Sequence, residues 1–314
     1  MSWLKNKTTI QLAIYLLLII CSQGLKRHTS QAAGLERNNF VSYGAADTQK
    51  YQQILNHAQK HQLSNAPIAT IVQVVAEQFL GAEYQAGLLD RSIHETLVIS
   101  LQQFDCMLFI ETVLAIADNI ARQENSYQAF VDGVEQQRYW NGTMNGYCSR
   151  LHYFSDWLAD NQARGRIKNI TAELGGINTT KKLNFMTTHR NSYPNLAKSS
   201  SQTKLVSGRD RNFQCIAEVE ETLPTTFNYI PTQQIDSIYA QLKPGDIIGV
   251  ATNIPGLDFT HTGLVYQQPN GGIGLIHASP AGTVTIAKDL QKYIGNVKNA
   301  VGIVVSRASE PKLP

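Results

Sequence analysis

The chain has no basic tract. Its 27 Lys and Arg are spread among 24 Asp and Glu over 314 residues, so the electrostatic footprint of a nucleic-acid binder is missing. No heptad run and no internal repeat occur, which excludes a coiled coil or a solenoid and leaves no repeat module for anchoring to a wall. There is no His-Glu-x-x-His segment. Cys148-x-x-x-His152 would put two ligands on one helix face, but no second pair with ligand spacing follows, and the reading is no metal and no cofactor. The apolar run from Ile10 to Cys21 is too short for a comfortable membrane span.

That run follows Lys5 and Lys7 and precedes Ser30-Gln31-Ala32, which places small residues where signal peptidase needs them. Residues 1–32 are therefore expected to be a secretory signal, with a secreted or periplasmic mature chain that has no stable membrane span. An uncleaved N-terminal anchor is the alternative. Lipid attachment at Cys21 is disfavoured by Ile20, which stands where a small residue is expected. Lys5, Lys7, Lys26 and Arg27 lie in this leader and no acid does. Beyond it the 27 basic residues fall to 23 against 24 acids, so the apparent basicity belongs to the leader. Cysteine is scarce, with four in all and three beyond the leader. Outside the cytoplasm an odd count implies at least one free thiol. Either Cys148 and Cys215 pair and leave Cys106 free, or both are buried and unpaired.

Residues 33–64 are polar and Gln-rich. Tyr51, Ile54, Leu55 and Ala58 recur at helical spacing and predict a short helix over about 47–62, read as an appendage packed on a main domain at 65–307. Residues 308–314 read as a tail. Pro67 suits a first helical turn, Ile68, Ile71, Val72, Val75 and Phe79 form one stripe, and Gly81 stops that helix. A helix apolar nearly all round runs from Cys106 to Ile120, as a central helix packed on several sides should. Amphipathic helices are expected over 126–139 and 149–161, and an exposed loop over 197–213. From Gly245 the pattern turns to strands at 246–252, 260–267, 273–278, 283–287 and 301–306. Helices first and an antiparallel sheet last make an α+β domain.

Chemistry concentrates at three residues. Asp105 is a good N-cap, so Cys106 falls in the first turn of its helix, where the partial positive charge favours a thiolate and the backbone N–H can serve an oxyanion. His261 and His277 sit in strand-like segments about 150 residues downstream, suited to act as general base and as the group that orients it. Each also has a plainer reading, as a small buried hydrophobe or a hydrogen-bonded core histidine. Placing His261 opposite His277 needs a hairpin loop with an odd number of residues, centred on Pro269, such as 267–271. A two-residue Asn270-Gly271 turn would put the imidazoles on opposite faces of the sheet. Arg150, His152 and Asp156 are candidates for gripping a charged fragment, or else a solvated or salt-bridged helix face. Glu111 reads as a structural partner inside the domain.

A helix-terminal cysteine followed by strand histidines is the layout of a papain-like cysteine hydrolase. Phe79-Leu80-Gly81-Ala82-Glu83-Tyr84, Asp105-Cys106, Leu242-Lys243-Pro244-Gly245-Asp246-Ile247, His261-Thr262-Gly263-Leu264-Val265 and His277-Ala278-Ser279 occur in an order that resembles NlpC-type hydrolases, which cut bacterial cell-wall peptides. Cys106 to Glu111 with the following Thr-Val-Leu-Ala, Arg150 to Trp157, Asn184-Phe185-Met186-Thr187 and Gly256-Leu257-Asp258 resemble more closely the N-acetylmuramoyl-L-alanine amidase-like family, over roughly 67–306. The resemblance implies a papain-like fold and a Cys106, His261, His277 triad with Tyr84 beside the nucleophile. It also implies a bacterial enzyme that cleaves muropeptides between N-acetylmuramic acid and L-alanine. Many relatives carry a small residue and proline before that tyrosine, where this chain has Ala82-Glu83. A stem-peptide endopeptidase cutting after γ-D-glutamate and a non-catalytic muropeptide-binding module are the alternatives.

Overall fold

The computed structural model describes residues 41–42, 44–198 and 208–311. The expected leader, the start of the 33–64 segment, the middle of the 197–213 loop and the last three residues lie outside the described residues. The helices are α1 (Ala45–Lys60), α2 (Ile68–Glu77), α3 (Cys106–Ala121), α4 (Tyr127–Arg138), α5 (Phe154–Ala163), α6 (Phe185–Thr188), α7 (Gly208–Thr222) and α8 (Leu290–Gly295). The strands are β1 (Val41–Ser42), β2 (Glu83–Tyr84), β3 (Leu97–Val98), β4 (Gln103–Phe104), β5 (Ile167–Asn169), β6 (Ile177–Thr180), β7 (Thr226–Pro231), β8 (Ile247–Thr252), β9 (Phe259–Gln267), β10 (Ile273–Ala278), β11 (Val284–Ala287) and β12 (Ala300–Ala308).

An antiparallel sheet of order β11-β10-β9-β8-β12-β7-β6, with β5 also paired to β12, carries helices on both faces. Continuous apolar strands need two covered faces, and both are buried here. Ile247, Ala251, Leu264, Ile276 and Val304 face α1–α5 in one core, while Ile248, Val250, Val265, Leu275 and Val305 face Leu290 and Ile294 of α8 in another. The α+β expectation therefore holds. The sheet nevertheless includes three strands, β5 to β7, that sequence periodicity did not mark.

Helix α3 is the hub of the first core. From Leu108 to Ile120 it is buried except at Asp118, and it packs on α2, α4, β9 and β10. Its one buried acid, Glu111, accepts a 2.8 Å hydrogen bond from Arg138 Nε, and Arg138 Nη1 donates to the Val98 carbonyl at 2.6 Å. The pair thus ties α3 and α4 to β3 inside the core, a structural role as the sequence suggested. Helix α1 starts two residues earlier than expected, at Ala45. Its Tyr51, Ile54, Leu55 and Ala58 belong to this same core, and Asp47 accepts from the Leu101 N–H at 2.7 Å. In the C-terminal segment, Glu310 accepts from the Ile68 N–H at 3.1 Å and caps α2. A carboxylate there complements the helix dipole.

Two helix expectations are corrected. The 149–161 helix begins only at Phe154, because Leu151 N–H bonds the Arg138 carbonyl and Arg150 pairs with Tyr139 as an antiparallel bridge, holding 150–153 extended. The end of the expected 197–213 loop is already helical from Gly208. There α7 is anchored by a disulfide between Cys148 and Cys215 (Cα–Cα 6.1 Å) and by Glu220, which accepts from Tyr153 Oη at 2.7 Å. The disulfide resolves the cysteine alternatives, leaving Cys106 as the free thiol among the described residues. It also removes Cys148 as a metal ligand for His152. Among the described residues no helix is long and apolar enough to cross a membrane.

Candidate active site

Cys106 is the first residue of α3, after Asp105, whose Oδ1 accepts from the Leu108 N–H at 2.8 Å. The cap fixes where the helix begins and so where the thiol points. Strand β4 delivers the chain to this point and pairs with β2, bringing Tyr84 opposite Phe104, two residues before the cysteine. Tyr84 N–H also donates to the Gly282 carbonyl at 2.7 Å, in the loop that leaves the His277 strand. The Tyr84 backbone is therefore tied both to the strand that leads into Cys106 and to the loop that follows His277.

Thr262 makes the link from helix to sheet. Its hydroxyl donates to the Cys106 carbonyl at 3.0 Å and lies 3.8 Å from the Met107 sulfur. His261 is its immediate neighbour on β9, and His261 Nε2 lies 2.8 Å from His277 Nδ1. The β9–β10 loop has five residues, 268–272, closed by Gln268 N–H to Gly272 O at 2.8 Å. An odd loop was expected, but it is centred on Asn270, not Pro269. His277 therefore lies across from Gly263, and the histidines are diagonal neighbours on one face. Gly263 is needed for this: a Cβ there would sit 2.9 Å from His277 Cβ and 3.0 Å from the Ile276 carbonyl.

Tyr293 of α8 completes the cluster. Its ring centroid is 4.6 Å from that of His277, and its hydroxyl is 3.5 Å from His277 Nδ1. Nothing in the sequence pattern marked Tyr293 or gave Thr262 a role. Leu290 and Ile294, four apart and buried, are the signal that this short helix packs on the sheet.

Burial governs the charge state. It pushes the Cys106 thiol up to about 11, with the nearby Asp105 carboxylate adding to the shift and the Thr262 bonds opposing it. Burial also pushes His261 down to about 3 and His277 down to about 4.

Of the other three candidates, Arg150 and Asp156 are buried and His152 is half-buried. Arg150 is buried and pairs with Asp90 at 2.8 Å and Glu95 at 3.3 Å. His152 Nε2 meets the Tyr147 carbonyl at 2.8 Å and therefore donates, and burial with the Arg150 charge holds its pKa well below the ordinary value. Asp156 is 1% exposed, and its carboxylate oxygens have no hydrogen-bond partner. Burial, then Asp160 and Asp258, push it up to about 7. A carboxyl whose folded pKa is raised supplies stability that is present at low pH and lost as pH rises through that value. Asp156→Asn is expected to remove a slope of about 1.4 kcal/mol per pH unit between roughly pH 4 and 7. Denaturant unfolding across that range checks it, and an unchanged slope counts against it.

A cavity of about 410 Å³, lined by Leu114, Asp118, Arg122, Gln137 and Arg166, lies toward the opposite end of α3 and is separate from this chemistry.

The fold and the site define an α+β protein with a free thiol at a helix N-terminus and a hydrogen-bonded histidine pair on the sheet that Thr262 ties to that helix. Residues 74–303 match the model of the AmiA-like family, N-acetylmuramoyl-L-alanine amidase-like, and the chain belongs to that family. Among solved structures it is similar to an N-acetylmuramoyl-L-alanine amidase from Bacteroides uniformis, with 28% identity and a TM-score of 0.69 over 77% of this chain and 99% of that one. A Bacteroides fragilis protein described as a candidate xylanase is 30% identical, with a TM-score of 0.63 over 74% of this chain and 99% of that one. A Legionella pneumophila protein of the DUF1460 family shares the fold at 21% identity, with a TM-score of 0.64 over 86% and 96% of the two chains. A search of curated proteins finds no match.

Proposed function

We propose that the protein is a secreted or periplasmic bacterial cysteine amidase of papain-like fold. It hydrolyses muropeptides at the amide between N-acetylmuramic acid and L-alanine. The observation that carries this reading is a histidine pair 2.8 Å apart, with His261 on the strand whose Thr262 hydroxyl bonds the Cys106 carbonyl at 3.0 Å. A neutral His261 is the right form for a general base, and its Nε2 bond to His277 leaves Nδ1 to take the thiol proton. As sulfur attacks the amide carbonyl, His261 becomes cationic, and the N-terminus of α3 stabilises the anionic partner. The Cys106 N–H, with Tyr84, is the donor set assigned to the tetrahedral oxyanion. The cationic His261 then protonates the leaving amine. Water, deprotonated by His261, hydrolyses the thioester and regenerates the thiol.

Arg150, His152 and Asp156 support the scaffold in this reading and do not grip substrate. A xylanase works through two carboxylates flanking the sugar bond, whereas the cluster here is a thiol and two imidazoles. The bond is tested by mass spectrometry of purified muropeptides after incubation with the protein. Free sugar plus intact stem peptide is expected. Cleavage within the stem would move the assignment to an endopeptidase. Substrates bound but returned intact would make this a binding module.

A further inference from the structure

The cavity toward the far end of α3 gathers more positive charge than the scaffold uses. Asp118 on its wall is separated from Cys106 by about 18 Å of helix, so the pocket and the thiol are different places in the fold. Arg122 from the end of α3, Arg164 from the end of α5 and Arg166 from the turn before β5 all line it, together with the acids Asp118 and Glu310. Four of these five charges have an evident structural task. Arg122 is the C-cap of α3, and its Nε donates to Asp118 at 2.9 Å. Arg164 is the C-cap of α5 and pairs with Asp160 one turn back. A cation at either helix end also complements the dipole. Glu310 accepts from the Ile68 N–H at the start of α2.

Arg166 is the remainder. It is half-buried, and its side chain bonds a neutral amide, with Nη1 donating to Gln136 Oε1 at 2.7 Å. Asp118 and Asp160 are paired with Arg122 and Arg164, and among the described residues no carboxylate forms an ion pair with Arg166. Its backbone is fixed on both sides: its N–H donates to the Asn161 carbonyl at 2.9 Å, and its carbonyl accepts from the Ser309 N–H at 2.9 Å. A partly desolvated guanidinium without a counter-ion is costly, and two further guanidiniums on the same wall add to that cost. Burial lowers its pKa, Asp118 opposes this, and the Arg164 and Arg122 charges add to the lowering. An arginine nevertheless stays protonated, and its planar fork has donors beyond the one given to Gln136.

We infer that this cavity is a second binding site, for a small molecule bearing an oxyanion group, carboxylate or phosphate, held by Arg166 with Arg122 and Arg164 on the same wall. Both groups match the fork of a guanidinium and accept charge-assisted hydrogen bonds from it. The cavity, about 410 Å³, is of a size that encloses a compact ligand. Binding there is independent of the thiol chemistry.

Isothermal titration calorimetry of the protein with inorganic phosphate and, separately, with glutarate tests the site. Saturable binding of at least one probe is expected, weakened by added sodium chloride. Arg166→Gln should weaken it about tenfold or more, because a charge-assisted bond and a counter-charge are lost together. Arg166→Lys, which keeps the charge without the fork, should fall between the two. Unchanged melting temperatures separate these effects from loss of fold. Phosphate binding alone assigns a phosphate-bearing ligand, and glutarate binding alone a carboxylate-bearing one. Failure of both probes to bind, or equal affinity in wild type and Arg166→Gln, would overturn the site.

Discussion

Replacing Cys106 with alanine is expected to reduce muropeptide cleavage by at least about 10³-fold while leaving the fold intact. The size of the loss follows from the unit character of such clusters, because removal of the nucleophile also disables the base that serves it. The fold should survive for a local reason. The bonds that position this turn are made by the Asp105 carboxylate to Leu108 N–H and by Thr262 to the Cys106 carbonyl, and neither uses the sulfur. Alanine is also the best helix former and suits the first turn of α3. Product yield against time, with circular dichroism of the same sample, checks both halves. An active alanine variant would remove Cys106 from the chemistry.

The largest stability effect is expected from Glu111→Ala. Glu111 and Arg138 are each about 2% exposed, and their 2.8 Å bond lies within the main core. Removing the acid strands a guanidinium where water cannot reach it, at a cost of about 3–5 kcal/mol. For a chain of this size that corresponds to a fall in melting temperature of roughly 10 °C. Replacing both partners, Glu111→Leu with Arg138→Met, should recover much of the loss, because an apolar pair needs no compensating charge. Thermal unfolding of the single and double variants tests this. A single variant within 1 kcal/mol of wild type would mean the guanidinium finds another partner.

What was legible in the sequence follows from what each signal depends on. The Asp105 cap and the start of α3 are local, since an N-cap needs only its own next three residues, and both were found where expected. Strands β8 to β10 are continuous apolar runs and were readable to within a residue. The loop centre moved by one residue, from Pro269 to Asn270, and the register therefore by two, yet an odd loop of any centre keeps both histidines on one face. The parity of the loop, not its centre, was the quantity that mattered. Strands β5, β6 and β7 were not legible. Ile177-Asn178-Thr179-Thr180 is largely exposed and carries no alternation, and it is a strand because β7, itself paired to β12, offers it a partner. The same applies to 150–153, held extended by Arg138 and Tyr139 from a different helix end. Thr262 and Tyr293 join the site only through tertiary placement. The balance of charge was also beyond the sequence: a helix N-terminus favours the thiolate, while desolvation, which depends on tertiary packing, opposes it.

The most direct measurement is acid-quenched peptide mapping during turnover of a purified muropeptide. The account predicts a transient acyl adduct on the peptide that contains Cys106, with the mass of the sugar portion joined as a thioester. An adduct on any other residue, or undiminished product formation by Cys106→Ala, would contradict it.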